Sequence, residues 1–312
     1  MWFASSTPPN RIDRPEAGAY ASAPAGTPDL ASPILTIVSP TLDERDNVGP
    51  LVAALDRALA GIAWEIVFVD DDSADGTAEV VKAMARADTR VRCIRRVGRR
   101  GLAGAAIEGF LSSSAPYVAL IDADMQHDET ALARMLAVLQ TSDAELVVGS
   151  RHVEGGSATG LANETRHRLS NLGAALANRV TRVPVSDPMS GFFMARREVI
   201  DAVAPRLTSQ GFKILTDILA SSERPLRVAE VGYGFRERLH GDSKLDTGVL
   251  IDYATLLADK TIGRYVPVRF LMFAAIGGLG VFVHLAVLWL VHLVAGGSFA
   301  LYLYRTDAVG FA

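Results

Sequence analysis

Tyr117-Val118-Ala119-Leu120-Ile121-Asp122-Ala123-Asp124-Met125-Gln126 is the stretch on which the reading of this chain turns. Its first five residues form a short apolar run, the pattern of a strand buried on both faces of a sheet. Two carboxylates follow at once, flanking one small residue at the strand's carboxyl end. Carboxylates this close repel one another unless a proton or a cation sits between them. A hard divalent ion with oxygen ligands, Mg²⁺ or Mn²⁺, resolves the conflict and can also grip a diphosphate. Asp122 and Asp124 are therefore the candidate metal ligands, with Gln126 as a third oxygen donor. Asp pairs are common in loops, so the weight rests on the position at a strand end. His127 reads as a support for the site before it reads as a ligand.

The same rhythm extends in both directions. Strands are expected at residues 34–39, 65–69, 91–94, 117–121 and 145–149, and helices at 48–59, 78–87, 102–112 and 130–139. Strands and helices alternating at this spacing imply right-handed crossovers and an α/β fold with a mainly parallel sheet covered on both faces. Ligands of such sheets bind outside the carboxyl ends of the strands, and the unusual polar clusters fall there. Asp70-Asp71-Asp72-Ser73-Ala74-Asp75-Gly76-Thr77 ends the second strand. Asp75 or Ser73 can cap the following helix, and a carboxylate here can accept hydrogen bonds from a base or from ribose hydroxyls. Capping alone does not account for three consecutive acids. Ser39-Pro40-Thr41-Leu42-Asp43-Glu44 closes the first strand, with Pro40 and Thr41 as a wall for a base and Glu44 as a partner for base or ribose.

Beyond residue 150 the pattern is less regular. A long helix is expected at 161–181, another at 212–222 and a strand at 228–235. Arg166 and Ser170 lie four apart, hence on one face of the long helix, and Arg151 ends the strand before it. Residues 247–265 carry one apolar face opposite Asp252, Asp259 and Lys260, as in a helix lying on a membrane surface or packed on the domain. Residues 270–291 carry no formal charge with His neutral, a length that spans a bilayer; the competing reading is a core helix of a soluble domain. Lys260, Arg264 and Arg269 precede this span and only Arg305 follows it, which places the preceding domain in the cytoplasm. Gly277, Gly278 and Gly280 leave room for a helix from another chain, and hence for an oligomer.

Residues 1–31 are rich in Pro, Ala, Ser, Thr and Gly without apolar periodicity, and read as disordered. They lack the apolar core of a signal peptide. Net charge is −4, which gives no reason to expect a nucleic acid. Basic residues cluster at 95–100, 166–182 and 236–244, a distribution suited to phosphate-bearing ligands. Cys93 is the single cysteine, so no internal disulfide forms.

Six motifs in order, S-P-T-L-D-E, V-D-D-D-S-A-D-G-T, R-R-G-L-A-G-A, D-A-D-M-Q-H, G-S-R and Q-G-F-K-I, resemble the inverting family 2 glycosyltransferases. The likeness is strongest to the dolichyl-phosphate mannose synthase branch (polyprenyl-phosphate glycosyltransferases), and it runs from about Leu35 to Lys244. It implies a GT-A, Rossmann-like catalytic domain, a nucleotide-sugar donor and a divalent metal. By that resemblance Asp122, Asp124 and Gln126 take the metal, and Pro40, Glu44 and Asp71 or Asp70 hold the nucleoside. Arg151, Arg166 and Ser170 grip the acceptor phosphate. Arg238 and Lys244, in Arg238-Leu239-His240-Gly241-Asp242-Ser243-Lys244, fold over the donor diphosphate. The family's first motif has Tyr-Asn where this chain has Leu42-Asp43. The apolar span resembles the start of a GtrA-like membrane domain, in truncated form.

The expected organisation is a disordered segment at 1–31, a GT-A domain at 32–245, an interfacial helix at 246–266 and a membrane segment at 267–312. The expected activity is inverting, metal-dependent transfer of one hexose to polyprenyl or dolichyl phosphate, with Asp124, Arg151 and Arg238 at the reacting centre. GDP-mannose is the favoured donor, because the Q-G-F-K-I and D-P-x-S-G-F motifs resemble mannose synthases. A UDP-glucose or UDP-N-acetylhexosamine donor is the alternative. A non-catalytic flippase partner is the rival of another class, and the intact D-x-D, G-S-R and R-x-x-G-x-S-K elements speak against it. No Q-x-x-R-W motif is present, which argues against a polysaccharide synthase.

Overall fold

The structure is a computed structural model, and it describes residues 32–153, 178–208, 213–236, 255, 260 and 268–294. Seven strands form one sheet in the order β3-β2-β1-β4-β6-β5-β7. They are β1 (Leu35–Thr41), β2 (Trp64–Asp70), β3 (Val91–Arg95), β4 (Tyr117–Leu120), β5 (Leu146–Ser150), β6 (Phe193–Arg196) and β7 (Val228–Gly232). Every pairing is parallel except those of β6, which runs antiparallel to both β4 and β5.

Helices α1 (Arg45–Ala58), α2 (Thr77–Ala85) and α4 (Ala131–Thr141) cover one face. Helices α3 (Leu102–Leu111), α5 (Arg197–Val203) and α6 (Ile214–Ser221) cover the other. The strand residues alternate between the two cores as period two demands: Ile37, Ile66 and Phe68 pack under α1, while Val38, Val67 and Val69 pack under α3. Because both faces are covered, β1 and β2 are apolar on both sides. Gly109 lets α3 approach closely, since a Cβ there would lie 2.3 Å from Cγ1 of Val38.

The expected strands and helices of the first half are all present, with ends shifted by a few residues. The strand expected to 235 ends at Gly232, and the helix expected from 212 begins at Ile214. Strand β6 and helix α5 are additional to the expected elements. Phe193-Met194-Ala195-Arg196 is too short for periodicity to declare it, and it is a strand because two neighbours supply its hydrogen bonds. The expected helix at 161–181 lies largely outside the described residues, as do the expected disorder at 1–31 and, apart from Thr255 and Lys260, the amphipathic segment at 247–265.

The last described element, α7 (Val268–Val294), contains an apolar stretch at Phe273–Leu293 that is long enough to cross a membrane, with a mean hydropathy of 2.2. No part of that stretch is buried, so it is not a core helix of the domain.

At the edge of the sheet opposite the acidic clusters, Glu145 is buried and accepts from both Nη1 and Nη2 of Arg224 and from the Arg227 N–H. The Arg224 hydrogen bonds, foremost, hold its pKa at about 2, below the usual 4.5. A depressed carboxylate contributes stability that is present above the unfolded pKa and lost as pH falls through the folded one. Glu145→Gln is expected to lose about 1–2 kcal/mol near neutral pH, because the hydrogen bonds it weakens are charge-assisted. Urea unfolding should show the gap to the unaltered protein closing between about pH 4.5 and about pH 2.

Candidate active site

Strands β2, β1 and β4 are neighbours and end at one edge of the sheet. Three residues other than glycine adopt left-handed backbone there: Asp43 (φ 56°) after β1, Asp72 (φ 60°) after β2 and Met125 (φ 62°) after β4. Asp tolerates that region, whereas a long apolar side chain does not, so Met125 carries about 1–2 kcal/mol of strain. The sharp turn it makes sets Asp124 and Gln126 against each other, and the Gln126 N–H donates to Asp124 Oδ1 at 3.1 Å.

The loops after β1 and β2 are sewn together. Asp43 N–H donates to Ser73 Oγ, Glu44 N–H to Thr77 Oγ1, Arg45 N–H to Asp75 Oδ2 and Ala74 N–H to Asp43 Oδ1, all at 2.9–3.0 Å. Leu42-Asp43 thus keeps the geometry of its loop: Asp43 takes the left-handed conformation that Asn also tolerates. Neither Ser73 nor Asp75 is the N-cap of α2, which is Gly76 in left-handed backbone. Ser73 bonds Asp70 instead, while Asp75 accepts from the Thr77 N–H.

The expected nucleoside residues lie together on this edge. Pro40 is half-buried in β1, and the half-buried Glu44 accepts from Asn47 Nδ2 at 2.6 Å. Asp70 is wholly buried and is used structurally, accepting from the N–H and hydroxyl of Ser73 and from Thr41 Oγ1. Asp71 is bound by Arg96 at 2.6 Å and by the Gly101 N–H at 2.6 Å. Burial raises its pKa, against the lowering pull of Gly101 and Arg96. The basic stretch at 95–100 is largely spent inside the protein: Arg95 pairs with Asp72, Arg96 with Asp71 and Glu108, and Arg99 with Glu108.

Asp124 is 6% exposed, while the Asp122 side chain reaches solvent. His127 is buried between Asp122 and Tyr233: its Nε2 lies 3.3 Å from Asp122 Oδ2 and its Nδ1 lies 2.9 Å from the Tyr233 hydroxyl. One tautomer satisfies both partners, with Nε2–H donating to the carboxylate and Nδ1 accepting from the tyrosine. His127 is thus the support that orients Asp122. A Cβ on Gly191 would lie 3.0 Å from Asp122 Oδ2, so only glycine leaves that carboxylate undisturbed. Among the described residues no three His, Cys, Asp or Glu side chains converge on one point. A small hard cation does not require that, since it commonly takes one or two carboxylates and completes its shell with water and substrate phosphate. The residues present fit such an ion.

Across the same edge, Arg151 Nε donates to Asp187 Oδ2 at 2.9 Å, and its Nη2 forms an ion pair with the same oxygen at 2.8 Å. The guanidinium stands 5.1 Å above the Phe235 ring. Asp187-Pro188-Met189-Ser190-Gly191 therefore spans the mouth, with Arg151 at one end and Asp122 at the other. Lys213, within the Q-G-F-K-I motif, feels the charges of Asp187, Arg151 and Asp122, and burial lowers its pKa. Arg166, Ser170, Arg238 and Lys244 lie outside the described residues.

No local pattern marks Tyr233 or Phe235, whose roles depend on which residues face them. It showed Arg236 only as part of a basic run. Arg236 fixes the loop after β4 from three sides. Its side chain pairs with Glu129 and Asp128 at 2.9 Å each, its N–H donates to the Gln126 carbonyl, and its carbonyl accepts from Gln126 Nε2 at 3.3 Å. Arg236→Met strips the counter-ion from buried Glu129 and is expected to cost about 1–2 kcal/mol in urea unfolding. That is less than the 3–5 kcal/mol of a fully buried pair, because the arginine is half exposed.

A Glycosyl transferase family 2 model matches residues 36–204. Dolichol-phosphate mannosyltransferase of Pyrococcus furiosus is 33% identical over 260 residues, covering 82% of this chain and 72% of that protein. The Saccharomyces cerevisiae protein of the same name is 32% identical over 241 residues, covering 74% and 88% respectively. Among solved structures, glucosyl-3-phosphoglycerate synthase from Mycobacterium tuberculosis, in complex with Mn²⁺, uridine diphosphate and glucosyl-3-phosphoglycerate, superposes with a TM-score of 0.53. It is 18% identical and covers 74% of this chain and 81% of its own. That likeness shows a shared GT-A fold.

Proposed function

The chain belongs to glycosyl transferase family 2 and is a glycosyltransferase, and we propose that it moves one mannose from GDP-mannose to a polyprenyl phosphate of the dolichyl type, with inversion, at a membrane surface. The observation that carries this reading is the pairing of two groups at one mouth: the Asp122/Asp124 carboxylates and the Arg151 guanidinium, joined by the turn from Asp187 to Gly191. A carboxylate pair suits the donor diphosphate through a cation, and a guanidinium suits an anionic acceptor. The relatives named dolichol-phosphate mannosyltransferase support mannose and the lipid phosphate.

Asp122, Asp124 and Gln126 would hold Mg²⁺ or Mn²⁺, which when bound neutralises charge on the departing nucleotide diphosphate. The protein's own residues supply the rest. His127, locked by Tyr233, keeps one Asp122 oxygen in a fixed orientation, and Gly191 keeps the space beside it clear. Asp187 orients Arg151, and Phe235 lies beneath its plane. Arg166 and Ser170 join Arg151 on the acceptor phosphate, while Arg238 and Lys244 meet the donor diphosphate. The acceptor needs no general base. A phosphate monoester has its second pKa near 6, so at neutral pH an oxyanion is ready to attack the anomeric carbon once it is held in line. Catalysis then consists of positioning and charge compensation. Lys260, Arg264 and Arg269 on the domain side of the apolar span favour a cytoplasmic site.

Membranes containing the protein, supplied with polyprenyl phosphate and labelled GDP-mannose or UDP-glucose, should yield an acid-labile labelled lipid from GDP-mannose. Chelation should abolish it. Asp124→Ala should remove activity by at least about a hundredfold while circular dichroism keeps the native spectrum. Labelled lipid from UDP-glucose alone would overturn the donor assignment, and full activity of Asp124→Ala would overturn the metal site.

A further inference from the structure

We propose that the buried ion pair of Lys260 with Asp217 is the joint that sets the acceptor side of the site at a fixed height over the bilayer. The inference rests on the reading of the acceptor as a membrane-held phosphate. Lys260 lies eight positions before Val268, the first residue of α7. Its ammonium meets Asp217 Oδ1 at 2.7 Å, Ser221 Oγ at 2.7 Å and the Arg206 carbonyl at 2.9 Å. The lysine side chain is 11% exposed and the aspartate 2%. The other Asp217 oxygen accepts from the N–H and hydroxyl of Thr208, both at 2.7 Å. The ammonium thus has one ionic partner and two hydrogen-bond acceptors, and both carboxylate oxygens are used.

Burying two charges costs several kcal/mol per ion, and mutual attraction rarely returns more than that. Such a pair is a weak source of stability. What it specifies is register: a lysine at one position can be satisfied only by this constellation. On α6, one residue before Asp217, Thr216 Oγ1 donates to the Pro188 carbonyl at 2.7 Å. Pro188 follows Asp187, the residue that holds Arg151. Helix α6, two turns long, is therefore clamped to the turn from Asp187 to Gly191 and to Lys260. A continuous line runs from Lys260 through Asp217, Thr216, Pro188 and Asp187 to Arg151.

The bilayer dictates the depth of a lipid phosphate. A pocket attached to its membrane helix by a loose segment would have to find that depth anew in each turnover. An acceptor displaced by about 1 Å from the attacking position can lose up to about a hundredfold in rate. A lysine locked into the domain removes that search for bilayer acceptors and matters little for an acceptor free in solution.

The test compares two acceptors with the full chain: long-chain polyprenyl phosphate in phosphatidylcholine vesicles, and geranyl phosphate dispersed in detergent. Lys260→Met should lower kcat/KM for the vesicle acceptor about tenfold, with kcat itself falling. Transfer to geranyl phosphate should stay at the level of the unaltered protein, and Lys260→Arg should recover most of the loss. If Lys260→Met melts below the assay temperature, Asp217→Asn, which keeps the shape, takes its place. Equal loss on both acceptors would reduce the pair to ordinary structural support and overturn the proposal, as would unchanged kinetics on vesicles. If the unaltered protein glycosylates neither acceptor, the proposed function itself falls; if it glycosylates both and the variants do not discriminate, only the joint falls.

Discussion

Parallel strands that end together concentrate negative charge, and this protein is built around containing it. Asp43, Asp70, Asp71, Asp122 and Asp124 all leave neighbouring strands at one edge of the sheet. In isolation they would repel and drive the loops apart. The fold answers each one separately. Asp70 is absorbed by hydroxyl and backbone donors, Asp71 by a buried arginine, and Asp43 by the backbone of the adjoining loop. Asp122 is held from behind by a histidine that is itself fixed by a tyrosine. Asp124, next to it, accepts from the Gln126 N–H.

The alternation of strands and helices was legible because short continuous apolar runs between helix-length amphipathic segments admit few other folds, and that pattern puts the D-x-D at a strand end. Three things were not legible. The run from Phe193 to Arg196 carries no periodicity of its own, so its place between β4 and β5 follows from pairing alone. The arginines at 95–100 look like a phosphate site in one dimension; in three, Arg96 is buried against Asp71 and Glu108. Tyr233, Phe235 and Arg236 gain their roles from residues about a hundred positions away, and no local pattern announces such contacts.

The two sides of the site also differ in how they are held. The half built on β1, β2 and β4 is rigid through short loop-to-loop hydrogen bonds and three left-handed turns. The other half, around Arg151 and Asp187, depends on one ion pair, a ring beneath it and the clamp from α6.

The reversed strand β6 has a further consequence. Its first residue, Phe193, pairs with Leu120 on one side and Val148 on the other, so the polypeptide that leaves β5 returns to the sheet at the edge from which it departed. An excursion anchored at both ends to the same rim can grow or shrink without shifting any strand against its neighbours. Doubling such a loop adds only about 0.6 kcal/mol of closure entropy. The length of the connection between β5 and β6 can therefore change while the edge formed by β1, β2 and β4 stays as it is.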